Sequence, residues 1–66
     1  MMKIVYQGNT EETEASTVGA FLDGKGIAAG TAVVEYQGEI HAPGDSLDMP
    51  LVDGATLNAF RIVAGG

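Results

Sequence analysis

The chain has 66 residues, with nine Asp and Glu against three Lys and Arg, one His and no Cys or Trp. That length holds one small domain, and a formal charge of −6 excludes the clustered cations that nucleic-acid phosphates or an anionic membrane surface demand. Hydrophobic residues at 45% and a mean hydropathy of +0.15 exclude disorder, and the lack of cysteine excludes disulfides and thiolate-held metals.

Met2 to Tyr6 predicts a strand, with Ile4, Val5 and Tyr6 as β-branched and aromatic residues. Gly8 and Asn9 read as its turn, in the type II′ form that places Gly first. Residues 10–15 return as a polar edge strand, in which Glu11, Glu12 and Glu14 oppose edge-to-edge association. Ser16 or Thr17 supplies the N-cap of a short helix carrying Val18, Phe21 and Leu22 at helical spacing. Gly19 weakens that helix by about 1 kcal/mol relative to Ala; Gly24 and Gly26 end it.

Residues 31–36 are the clearest strand, Gln37 and Gly38 turn it, and Glu39 to His41 return. Residues 42–53 hold both prolines with mixed periodicity, which predicts a loop with room for one 3₁₀ turn. Asp53 and Gly54 form another turn, and residues 56–63 are the last strand, ahead of Ala64, Gly65 and Gly66.

The order is hairpin, helix, hairpin, irregular crossover, final strand. A late strand that joins the centre of the sheet must lie parallel to the first. The expected fold is therefore α+β, a single-domain β-grasp over residues 1–66, with a mixed sheet of four to five strands on one short helix and 64–66 as a flexible tail. Strand alternation assigns the faces. Ile4, Tyr6, Val34, Tyr36, Leu57 and Ala59 point to the helix, which turns Val5, Val33, Asn58, Phe60 and Ile62 outward. Val5, Val33, Phe60 and Ile62 then form an apolar patch on the open face, a candidate partner interface. The competing arrangement folds Phe60 beneath the loop of residues 42–53 as core.

Few chemical constellations are available. His41 has no Ser and Asp partners at a recognisable spacing and reads as a strand-end residue, and one His cannot build a metal site. Gly24, Lys25 and Gly26 lack the spacing of a phosphate loop. The ending is more informative. Gly65 and Gly66 carry no Cβ, so an extended arm bearing the Gly66 carboxylate can enter a narrow channel in another protein. A carboxylate is a poor electrophile. A partner holding ATP and Mg²⁺ that adenylated it would make it open to attack by sulfur, and this chain would supply no catalysis and bind no cofactor or metal. The short apolar run at the start is no signal peptide, and no stretch approaches a membrane span, so the expected compartment is the cytoplasm.

Several segments carry a family resemblance along the whole chain. These are residues 2–8, then Ser16, Thr17, Val18, Phe21 and Leu22, residues 34–40, Val52 with Asp53 and Gly54, and Phe60 to the final Gly66. With them the chain resembles the ThiS/MoaD-type sulfur carrier proteins, nearest to the thiamine-biosynthesis carriers and more distantly ubiquitin-like. The resemblance implies that Gly66 is adenylated by a ubiquitin-activating-type adenylyltransferase and becomes a thiocarboxylate, while Ala64 and Gly65 form the slender tail. It implies sulfur supply by a sulfurtransferase or cysteine desulfurase and delivery to thiazole synthase or another acceptor, with the open face meeting these enzymes. Pro43 is followed by Gly44, where thiamine carriers commonly have a Pro-Arg pair. Molybdopterin synthase small subunits and carriers for amino-acid sulfuration are alternative expectations, as is a β-grasp binding module that carries nothing.

Overall fold

Among the described residues two hairpins bracket a single helix, and a last strand returns between them. The computed structural model describes residues 1–62; Val63, Ala64, Gly65 and Gly66, and with them the tail and the end of the expected last strand, lie outside the described residues. The strands are β1 (Met2–Tyr6), β2 (Asn9–Thr13), β3 (Ala32–Tyr36), β4 (Glu39–His41) and β5 (Thr56–Arg61), with helix α1 (Val18–Gly24) after β2 and a 3₁₀ turn (Ala29–Thr31) before β3. The sheet order is β2-β1-β5-β3-β4. β5 runs parallel to β1 and antiparallel to β3, as the element order requires. This is a small α+β domain with a mixed sheet on one short helix, and no helix among the described residues is long and apolar enough to cross a membrane.

Alternation builds the core. Ile4, Tyr6, Ala32, Val34, Tyr36, Leu57 and Ala59 face the helix and are buried, with Ile4 and Leu57 fully so. Leu57 lies between Tyr6 of β1 and Tyr36 of β3 in register, and Ala59 is opposite Val34. Against this layer α1 sets Val18, Phe21 and Leu22, and the Tyr6 and Phe21 rings meet edge to face at 5.1 Å.

A seven-residue helix is too short to persist alone, so its ends matter. Thr17, rather than Ser16, is the N-cap, and its Oγ1 accepts the Ala20 N–H at 3.1 Å. The crossover loop satisfies two more of the first N–H groups: Val18 donates to the Met49 carbonyl at 3.0 Å and Gly19 to that of Leu47 at 2.7 Å. Gly19 is there for that approach, because a Cβ on it would stand 3.0 Å from the Leu47 carbonyl oxygen. At the other end Gly26 has φ +78°, Ile27 N–H donates to the Leu22 carbonyl and Gly26 N–H to that of Asp23. That is a Schellman stop.

The crossover is a loop, as expected, and does not use its room for a 3₁₀ turn; among the described residues the 3₁₀ turn precedes β3, where Thr31 Oγ1 donates to the Ala28 carbonyl. The loop is held by its apolar residues and by carbonyls. Leu47 and Leu51 are buried, and the Tyr36 hydroxyl donates to the Pro50 carbonyl while accepting the Val52 N–H. Asp53 and Gly54 do turn the chain, and the Asp53 carboxylate accepts the Lys3 N–H at 2.8 Å, joining the starts of β1 and β5.

The first hairpin turn differs from expectation by one residue. Its centre is Gln7 and Gly8, and Asn9 is already in β2, paired with Tyr6. Gln7 and Gly8 have φ of 50° and 82°, and Gln37 and Gly38 in the second hairpin have 53° and 83°. Both are type I′ geometries, in which two consecutive residues are left-handed. Glutamine tolerates the first position because its side chain is bound. The Gln7 carboxamide accepts the Ala59 N–H at 3.2 Å and donates to the Ala59 carbonyl at 2.8 Å, so it continues the β1–β5 ladder after β1 has turned away. Gln37 Oε1 likewise accepts the Thr56 N–H at 3.1 Å.

Replacing Gln7 with Ala leaves both backbone groups of Ala59 without these partners. The expected loss is about 1–3 kcal/mol, with faster amide exchange at Ala59 read by NMR. Unchanged exchange there means that the carboxamide does not complete the ladder.

Candidate functional site

The open face of the sheet is set by the same pleat that builds the core. Phe60 and Ile62 lie on it with 55% and 52% of their surface in water. Phe60 is not beneath the crossover loop, which instead buries Leu47 and Leu51. Val33 is the cross-strand partner of Phe60 and is half-buried. The Ile62 N–H donates to the Thr31 carbonyl at 2.9 Å, which keeps the chain in register with the start of β3 one step past Arg61.

Val5 also faces outward and is half-buried, but it pairs with Thr56 rather than with Phe60. Thr56 and Phe60 are four residues apart on one strand, about 13 Å. The structure therefore groups Val33, Phe60 and Ile62 and leaves Val5 towards the other end of the face. Ile40 joins the group in its place. It is 62% exposed and is the partner of Glu35, which puts it on the open face diagonal to Val33. The register of β4 on β3 is what marks Ile40 as outward-facing. Between the apolar end and Val5 the face is polar: Asn58 Nδ2 donates to Glu35 Oε1 at 3.0 Å.

Gly66, Gly65 and Ala64 lie outside the described residues, so the structure places only the strand that leads to them. That strand is β5, central in the sheet and hydrogen-bonded on both sides.

The remaining polar features are few. Gly24, Lys25 and Gly26 close the helix at its C-terminal end, where carbonyl oxygens rather than N–H groups are presented, a poor place for phosphate. His41 is half-buried on β4 with Nε2 3.5 Å from Glu39 Oε1, a pair only when the imidazole is protonated. Among the described residues no three His, Cys, Asp or Glu are grouped so as to hold a metal ion. A groove of about 310 Å³ lies between β2 and α1, walled by Glu11, Glu12, Phe21 and Lys25, and nothing in the sequence reading pointed to it. Lys25 Nζ is ion-paired with Glu11 there and stands 5.4 Å from the centroids of both the Tyr6 and Phe21 rings.

Comparison with protein-family models, with characterised proteins and with solved structures finds no match for this chain.

The face assignment has a stability signature. Phe60→Ala and Ile62→Ala are expected to change stability by about 0.5 kcal/mol or less, whereas Leu57→Ala costs about 2–5 kcal/mol. Urea unfolding of the three variants measures this, and a Phe60→Ala loss as large as that of Leu57→Ala would make Phe60 core.

Proposed function

We propose that this chain is a ThiS/MoaD-type sulfur carrier with the β-grasp fold, whose Gly66 carboxylate is adenylated and converted to a thiocarboxylate. The single observation that carries the reading is the exposed apolar group of Phe60, Ile62 and Val33 on the open face. Phe60 is on the central strand β5, Ile62 follows it in the sequence that leads to Gly65 and Gly66, and Val33 stands opposite Phe60 on β3. A partner that covers this group is placed to receive the following residues in its own active site. The formal charge of −6 suits a partner with a basic docking face.

The chemistry asks little of the carrier. The partner, a ubiquitin-activating-type adenylyltransferase, supplies ATP and Mg²⁺; a Gly66 carboxylate oxygen attacks the α-phosphorus and pyrophosphate leaves. The acyl adenylate that results is neutral at the carbonyl carbon and has AMP as a good leaving group. A persulfide sulfur on a sulfurtransferase or cysteine desulfurase attacks that carbon, AMP departs with the bonding pair, and an acyl disulfide forms. A thiol reductant cleaves the disulfide and leaves the thiocarboxylate. The acceptor enzyme then takes the sulfur, with thiazole synthase in thiamine biosynthesis as the first candidate, and water restores the carboxylate oxygen. Two glycines suit every step because each enzyme must admit the chain end through a narrow passage. The working compartment is the cytoplasm, where ATP and persulfide donors are both supplied.

Incubation with a cognate activating enzyme, ATP and a sulfur donor is expected to raise the intact mass by the difference between sulfur and oxygen. Replacement of Gly65 and Gly66 by Ala should abolish the gain. Phe60→Ala is expected to raise KM for the activating enzyme by about tenfold or more, with Val5→Ala much milder because it stands apart from the group. No mass gain in the full chain, with partner binding that survives deletion of residues 64–66, would instead mark a binding module.

A further inference from the structure

The outer edge of β2 and the groove beside it are built to take another strand. Closure of the first hairpin by Gln7 and Gly8 makes Tyr6 and Asn9 a hydrogen-bonded pair, and alternation continues that pattern to Ile4 with Glu11 and Met2 with Thr13. Thr10 and Glu12 therefore direct their N–H and C=O groups the other way, off the sheet, because β2 is an edge strand. Val5, the partner of Thr10, shows the same alternation on its own side, where its N–H donates to the Ala55 carbonyl at 2.8 Å. Two outward backbone pairs about 7 Å apart match the repeat of an extended peptide.

The groove adds room for side chains. Phe21 and Ala20 line it, and at Gly24 a Cβ would meet nothing within 4 Å. Lys25 closes one wall, its charge already matched by Glu11. The charge left over is negative: Glu12 and Glu14 along the edge and Asp23 on α1 are all exposed. A second copy of this edge would bring like charges together.

We propose that β2 accepts an extended, Lys- or Arg-bearing segment of a partner protein as a sixth strand. Its alternate side chains rest over Ala20, Phe21 and Gly24, while the cationic ones meet Glu12 and Glu14. The same carboxylates that reject a like edge select a basic one. This surface is separate from the Phe60 group and does not depend on the chemistry of Gly66, so it stands or falls apart from the carrier function.

The probe is the capped pentapeptide Lys-Val-Lys-Val-Lys, titrated into the ¹⁵N-labelled full chain, with Glu-Val-Glu-Val-Glu and Lys-Gly-Lys-Gly-Lys as controls. The expected result is selective shifts at β2 and α1, with amide exchange of Thr10 and Glu12 slowed about tenfold or more. Glu12→Pro removes an outward N–H at an edge position where proline is tolerated, and should abolish the slowing at Thr10. Should that variant fail to fold, Glu12→Lys serves, with binding weakened. Three results overturn the proposal: no slowing at millimolar peptide, equal effects from the Lys-Gly peptide, which mark ionic association alone, or shifts confined to the open face.

Discussion

Insertion of β5 between β1 and β3 is the constraint on which the rest of this domain depends. A strand placed centrally and parallel to the first cannot be reached by a tight turn, so the chain needs a crossover. Loop closure itself grows slowly with length, by about 0.6 kcal/mol per doubling. The larger task is to order an irregular segment, and the segment is ordered by burial. Leu47 and Leu51 are buried in the core, each worth about 1.5–3 kcal/mol when fully removed from water. The carbonyls of Leu47 and Met49 then lie where the first N–H groups of α1 need partners. Crossover and helix thus stabilise one another, which is how a seven-residue helix persists.

The same insertion explains the two glutamine turns. β1 turns away after Tyr6 while β5 continues to Arg61, so the later part of β5 outruns its parallel neighbour. The Gln7 carboxamide reproduces the donor and acceptor of one more strand residue and carries the ladder to Ala59. At the other flank Gln37 binds Thr56 through backbone and side chain together. A left-handed φ is unfavourable for glutamine, and these long-range bonds offset that strain. Sequence-repeated Gln-Gly is thus tied to β5 on both of its sides.

Much of this was legible in the residues, and the exceptions share a cause. Strand pleat and helical spacing placed Ile4, Val18, Phe21, Leu22, Val34 and Leu57 in the core because each signal is local and periodic. Element order gave the central parallel strand. What could not be read locally was whatever depends on a distant partner. The first turn moved by one residue because Gln7 finds Ala59, remote in sequence, and propensity alone favours Gly and Asn at such positions. Gly19 looked like a weakness until Leu47 was seen against it. On the open face, alternation gave the correct side for Val5 and Val33 but not their distance apart, since register between strands is a tertiary quantity. Ile40 was passed over for the same reason.

Register also divides the surface into regions of different chemistry. The apolar end of the open face, Phe60 with Val33 and Ile62, lies where β5 is paired with β3 and has outrun β1. Packing flat upon it buries these side chains, a contact driven by area. The β2 edge offers the opposite: outward N–H and C=O groups with carboxylates beside them, a contact that demands extended backbone and positive charge. β5 and β2 are separated by β1, and the groove beside β2 is on the helix side of the sheet rather than the open one. Occupants of the two surfaces therefore need not exclude each other. The described residues present two chemically distinct surfaces because their sheet exposes a face and an edge while the helix and crossover cover much of the other face.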